Sequence, residues 1–172
     1  MHQENFLVDL SKLTQQQTMY MAIRILVFLL VNFGALALGG LFMGDGPSSE
    51  WYTTINKAPW TPPGWVFGAA WTSIMICFSI YLALLWPKTE NKNLLLGMFS
   101  LQFILNVLWN PVFFYYHNAA LGMVIIVLLT VLVWWFMVYY RAPLKWTSIL
   151  ILPYAIWLVI ASSLNGYVLW MN

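Results

Sequence analysis

Residues 56–65 read NKAPWTPPGW, three prolines and two tryptophans around one lysine, set between two long apolar runs. Proline lacks an N–H and clashes with the preceding helical turn, so a membrane span cannot run through so many of them. The stretch has to be a connector, and the apolar runs on either side have to be separate crossings. Composition agrees: of 172 residues, 62% are hydrophobic, 18% aromatic and 7% charged. A globular chain carries about 25% charged residues. The reading is an all-α integral membrane protein.

Uncharged runs long enough to cross a bilayer, about 20 residues, lie outward from that connector at 25–43, 64–86, 93–116, 119–140 and 146–171. The expected fold is a five-transmembrane-helix bundle over residues 18–172, preceded by a polar N-terminal segment at 1–17. Its first loop, 44–63, is long and rich in proline and tryptophan. Residues 89–92 and 141–145 read as plain polar turns, and YHNA at 116–119 as a tight hairpin between the third and fourth spans. The first seventeen residues lack an apolar core and a small-residue cleavage site, so no signal peptide is expected. Lys12, Arg24, Lys88, Lys92, Arg141 and Lys145 share one side of this topology, and Lys57 stands alone on the other. By the positive-inside rule the N-terminus is cytoplasmic and the C-terminus outside.

Amides within a span turn toward the bundle interior or a cavity, because lipid offers them no partner. In the third span Gln102, Asn106 and Asn110 recur every four residues and share a face. Trp109 and Phe113 adjoin it, and Pro111 should bend the helix there. The fifth span repeats the idea with Tyr154, Trp157, Ala161 and Asn165. The second presents Trp71, Met75 and Phe78, and the first has Gly39-Gly40, smooth enough for a backbone or a flat molecule to approach. At 1.5 Å per residue, Trp71 lies roughly 9 Å below the start of its span, level with the outward halves of the third and fifth. The expected site is a pocket walled by Trp71, Met75, Asn106, Trp109, Asn110, Trp157 and Ala161, with Trp51, Trp60, Pro62 and Pro63 in its lid.

Each of these features has a plainer reading. The amides also serve as interhelical glue, and Gly39-Gly40 as a packing surface. Trp86, Trp134, Trp135, Trp146 and Trp170 sit at span ends, where tryptophan marks the membrane interface. Other classes are excluded more firmly. Cys77 is solitary and lies in an apolar run, and neither His2 nor His117 has a second ligand at metal spacing, so no metal site is expected. No basic stripe points to nucleic acid. No charge sits inside a span apart from Arg24 at the inner end of the first, which disfavours coupled pumping.

The run WYTTINKAPWTPPGWVFGAAWT (51–72) resembles the signature of the translocator protein family, also called tryptophan-rich sensory protein or peripheral benzodiazepine receptor (TspO/MBR). Ala58 is a one-residue insertion relative to the family's usual Lys-Pro. LQFILNVLWNPVFF (101–114) and LPYAIWLVIASSLN (152–165) match two further blocks in the same order. The resemblance implies a five-helix bundle, often a homodimer, with a pocket between helices under the first loop. It implies porphyrins such as protoporphyrin IX, or other flat hydrophobic molecules including benzodiazepine-site synthetic compounds, as ligands, and no required cofactor. By motif position Trp71 and Asn106 resemble polar contacts, and Tyr52, Trp109, Trp157 and Ala161 resemble wall. A sterol motif near the C-terminus is incomplete, because no Lys or Arg follows Tyr167.

Three functions compete on these grounds. The first is a membrane receptor or carrier for tetrapyrroles, in a bacterial cell membrane or, for a eukaryotic chain, the mitochondrial outer membrane. The second is an enzyme degrading porphyrin with light and oxygen, with Trp71 as the catalytic relay. The third is a structural or partner-binding subunit surrounded by membrane lipid, in which the stripes only pack helices.

Overall fold

The computed structural model describes the backbone of residues 2–172 and the side chains of residues 12–172. Every described element is helical: α1 (His2–Phe42), α2 (Glu50–Thr54), α3 (Gly64–Leu85), α4 (Lys92–Asn110), α5 (Ala119–Tyr139), α6 (Arg141–Leu144) and α7 (Leu152–Met171). Five of these regions are long and apolar enough to cross a membrane. A helix satisfies its own backbone groups, which is what an apolar run in lipid requires. The five-helix membrane bundle expected from the sequence is the fold observed.

Boundaries differ where backbone chemistry intervenes. The helix of the first span extends back to His2, because no proline or glycine interrupts it before Gly34. Residues 2–17 of the expected polar segment therefore enter that helix, and the side chains of residues 1–11 lie outside those described. The fifth span does not begin as an α-helix at 146: Lys145–Ile151 winds as a tighter 3-10 helix, and α7 starts at Leu152 with Pro153 in its first turn. Proline is accepted there because its missing N–H has no intrahelical role. Residues 141–145 are not a plain turn but one helical turn, α6, ended by Lys145 at φ 52°.

Pro111 does more than bend its helix. After Asn110 the backbone widens into a π-type turn, Pro111–Tyr115. There the Tyr116 N–H donates to Pro111 O at 2.9 Å, five residues back rather than four. The hairpin that follows turns on His117 at φ 53°, and Asn118 caps α5 by accepting the Leu121 N–H at 2.9 Å.

The spans close into a ring. α1 packs on α3 and α4, α5 on α4 and α7, and α7 returns to α3. Away from the first loop the ring is filled by aromatics centred on fully buried Phe78, which meets Tyr81, Phe99, Phe136 and Tyr154. Polar bonds tie this half together: Asn32 Nδ2 to Ser79 Oγ at 2.8 Å, Tyr81 OH to Phe136 O at 3.1 Å, and Gln102 Nε2 to Tyr154 OH at 2.8 Å. Such bonds contribute on average roughly 0.6 kcal/mol each. At the span ends Trp146 and Trp170 are largely exposed. Lys92 donates to Trp86 O and Thr89 O, satisfying carbonyls left free past the end of α3.

Candidate functional site

The first loop is stiff for a local reason. Pro59 follows Ala58 in a turn closed by the Thr61 N–H to Ala58 O bond at 2.9 Å, and proline presets the backbone angle that position needs. Upstream, Ser49 caps α2 by accepting the Tyr52 N–H. The loop is pinned to α7 at two places. Trp60 Nε1 donates to Ser163 Oγ at 3.1 Å, with its ring edge-on to Tyr167. Asn56 and Asn172 exchange bonds, Asn56 N to Asn172 Oδ1 at 2.9 Å and Asn172 Nδ2 to Asn56 O at 3.2 Å.

Beneath this loop lies a cavity of about 690 Å³, within the range of small-molecule sites. Each surrounding helix contributes one face at helical spacing: Leu36, Gly40 and Met43 from α1; Gly64, Phe67, Gly68 and Trp71 from α3; Asn106, Trp109 and Asn110 from α4; Ala161, Leu164, Asn165 and Val168 from α7. Tyr52, Lys57, Thr61 and Pro62 cover it from the loop, and Phe113 and Phe114 reach it from the π-type turn. That turn points two successive rings inward, and Phe113 stacks on Trp109 with centroids 5.0 Å apart. Burial raises the Tyr52 phenol above its ordinary value, so it stays a neutral donor at physiological pH.

The amide stripe divides into two kinds of group. Gln102 is turned away from the cavity, its Nε2 donating to Tyr154 OH and its Oε1 buried without a partner among the described residues. Asn165 accepts from Trp109 Nε1 at 3.2 Å and donates to Ala119 O at 2.8 Å, joining α4, α7 and the start of α5. Asn110 fits against α1, where a Cβ on Gly39 would stand 2.6 Å from Asn110 Nδ2. Asn106 is different. Its side chain lines the cavity and makes no hydrogen bond among the described residues, and neither amide atom is sealed from the cavity. The Trp71 indole also lines the cavity, its N–H undonated among the described residues. Two unspent polar groups thus project into a largely apolar chamber.

The architecture agrees with the comparisons to known sequences. The profile of the TspO/MBR family matches residues 26–171. The chain belongs to the TspO/MBR family. It is 31% identical over 147 residues to the tryptophan-rich sensory protein of Cereibacter sphaeroides, an alignment covering 86% of this chain and 90% of that one. The tryptophan-rich protein TspO of Chlorobaculum tepidum is 33% identical over 142 residues, covering 80% and 89%. The human translocator protein is 30% identical over 141 residues, covering 77% and 83%. The resemblance carried by the three motif blocks is therefore a true family relationship, and the chain is a multi-pass membrane protein.

Within this TspO/MBR chain, Tyr52, Trp71, Asn106, Trp109, Asn110, Ala161 and Pro62 all line the cavity. Met75 and Trp157 do not. Each lies one helical turn deeper than its cavity-lining neighbour, Trp71 or Ala161. Met75 is fully buried in the core. Trp157 packs edge-on against Phe67, its Nε1 buried without a partner. Three of the four lid residues also take other places. Trp51 faces a neighbouring cleft, stacked on His117 at 4.5 Å. Trp60 is exposed on the outer surface, and Pro63 caps the start of α3.

The sequence reading passed over several wall residues. Leu164 and Val168 continue the Ala161 face at offsets of three and seven, a signal open to anyone extending the stripe. Leu36 and Met43 extend the Gly40 face in the same way. Phe114 carried no such signal, because the π-type turn shifts its direction away from α-helical spacing.

Proposed function

We propose that this TspO/MBR protein is a membrane receptor or carrier for flat hydrophobic molecules, porphyrins foremost, held in the cavity beneath the first loop. One observation carries the reading: the Asn106 amide and the Trp71 N–H are left unspent inside an aromatic chamber. Buried polar groups ordinarily find partners within the protein; Gln102 Oε1 and Trp157 Nε1 also lack one but are sealed in the core, so the pair that opens onto the cavity marks where a ligand supplies them. A purely structural role for the stripe accounts for Gln102, Asn110 and Asn165 but leaves these two groups unexplained. No cofactor is needed for such binding. The carrier is read as lying in a cell membrane with its N-terminus cytoplasmic, on the strength of six Lys/Arg against one.

For a homodimer, the favoured surface is the α4 face around Gly97, where a Cβ would meet nothing. Ala35 is buried inside the protomer and Gly39 is occupied by Asn110, so that face of α1 is already used.

The test is a dark titration of the protein in nanodiscs with protoporphyrin IX, read by tryptophan fluorescence. Saturable quenching is expected, weakened about tenfold in Asn106→Ala by loss of one buried hydrogen bond and weakened also in Trp71→Phe. Linear quenching, alike in all three proteins, would return the stripe to helix packing. A second reading, oxygen-dependent photodegradation of the bound macrocycle with Trp71 as the relay, draws on Trp71 standing edge-on to Tyr154 at 5.9 Å in the cavity wall. Undiminished light-driven porphyrin loss in Trp71→Phe would eliminate it.

A further inference from the structure

Six of the seven Lys and Arg residues lie toward the end of the bundle away from the first loop, and they are not used alike. Lys92 is occupied by the protein itself. It donates to Trp86 O and Thr89 O, and its ammonium stands 5.3 Å from the centroid of the Trp86 ring. The side chains of Arg141 and Lys145 are exposed, with neither a hydrogen bond nor a carboxylate partner among the described residues. The two are one helical turn apart, the Lys145 N–H donating to Arg141 O. Their helix, α6, is set against α3 and α5, which the Tyr81 OH to Phe136 O bond ties together. Lys145 holds φ at 52°, a region that a Cβ disfavours and glycine accepts. The chain turns there into the 3-10 helix, and the next side chain, Trp146, is 91% exposed. Side chains three apart in a 3-10 helix are eclipsed, so exposed Ile149 stands in line with Trp146. Orientation in a membrane asks only for a count of cations in the connectors. It does not ask for one of them to hold a strained backbone beside an almost bare indole.

We propose that Arg141, Lys145 and Trp146 form a binding surface for an anionic phospholipid in the leaflet against this end. The surface is separate from the cavity and does not depend on what the cavity holds. Charge complementarity selects the lipid. The Arg141 guanidinium has its donors free for two parallel bonds to a phosphate, and the Lys145 ammonium adds a second charge. A zwitterionic headgroup carries its own cation beside the phosphate, which these two side chains repel, whereas phosphatidylglycerol carries none. The Trp146 ring covers the glycerol region, where indoles settle at membrane interfaces. The acyl chains follow the Trp146–Ile149 line toward the fifth span. That apolar line distinguishes a lipid from a soluble anion, which has nothing to place along it.

The experiment titrates the full chain in detergent with phosphatidylglycerol and with phosphatidylcholine of matched acyl chains, counting bound lipids by native mass spectrometry. Proteins are the unaltered chain, Lys145→Gly, Arg141→Gln combined with Lys145→Gly, and Lys12→Gln. Glycine suits the backbone at 145, so its effect is not one of misfolding, and Lys12→Gln removes a cation from the same end but from α1. The unaltered chain is expected to bind one phosphatidylglycerol about tenfold more tightly than phosphatidylcholine. Lys145→Gly narrows that preference to about threefold, and the double variant abolishes it while leaving phosphatidylcholine binding unchanged. Lys12→Gln retains it. Glycerol 3-phosphate in excess leaves phosphatidylglycerol bound. Equal affinity of the two lipids for the unaltered chain overturns the proposal. So does a loss in Lys12→Gln as large as in the double variant, which would mark a diffuse field in place of a site. Displacement by glycerol 3-phosphate, or weakening of both lipids alike in the double variant, overturns it as well.

Discussion

The two ends of the same helices solve opposite problems. On α3, Ile74, Met75, Tyr81, Leu82 and Leu85 are buried with Phe78, while Gly64, Phe67, Gly68 and Trp71 open onto the cavity. On α4, Gln102 is committed to Tyr154, while Asn106, one turn on, is committed to nothing. On α7, Tyr154 and Leu158 are sealed in the core, while Ala161, Leu164 and Val168 line the chamber. The difference lies in how polar groups and volume are used. The packed half seals its polar groups away from the chamber, Gln102 Oε1 and Tyr140 OH even without a partner among the described residues, and fills its space with rings. The loop half has small residues (Gly40, Gly68, Ala161) where the helices face one another, and a roof of proline keeps the space open.

Substitutions break this comparison in graded ways. Phe78→Ala should have the largest effect, a loss of about 3–5 kcal/mol from an unrelaxed cavity, seen in denaturant unfolding in detergent. The protein that remains folded should bind porphyrin as before, since Phe78 is not in the wall. Ala161→Phe should do the reverse. Its ring projects into the chamber and should weaken saturable binding about a hundredfold, some 2.7 kcal/mol, with unfolding little changed. If that variant binds normally, the ligand does not occupy this cavity.

Gly39→Leu tests the seam between the halves. A Cβ there already stands 2.6 Å from Asn110 Nδ2, so a branched side chain should force α1 and α4 apart at a cost of about 1–3 kcal/mol. Gly34→Leu, with nothing within 4 Å of its Cβ position, is the control for a change facing away from the bundle. The smallest effect belongs to Asn172→Ala. It removes exposed bonds to Asn56, and a stability change under about 1 kcal/mol is expected. Faster amide exchange or proteolysis within residues 56–63 should reveal the loosened loop, and unchanged exchange would show that Trp60–Ser163 holds it alone.

Much of the site was legible because helical periodicity is a one-dimensional signal. Four-residue spacing placed Asn106 and Asn110 on one face, and offsets from Ala161 pointed along α7. Periodicity says which way a side chain faces but not where the floor of a cavity lies. Met75 and Trp157 share faces with Trp71 and Ala161, yet sit below that floor, because Phe67 packs on Trp157 and the core seals Met75. The loop misled for a related reason. Prolines and tryptophans announced a stiff aromatic cover, but rings in a loop go wherever a neighbour accepts them. Trp51 found His117 and Trp60 found Ser163 and Tyr167, leaving Tyr52, Lys57, Thr61 and Pro62 to face the chamber.

The amino-acid sequence by itself determined the class of protein, the number of spans, their approximate limits and the family. These follow from the transfer of apolar residues into lipid, from proline's missing N–H and from motif order, all local along the chain. The tertiary structure decided which amides are spent and which are free, and where the chamber ends. Those are properties of pairs of residues brought together from different helices, and no single stretch of sequence contains them.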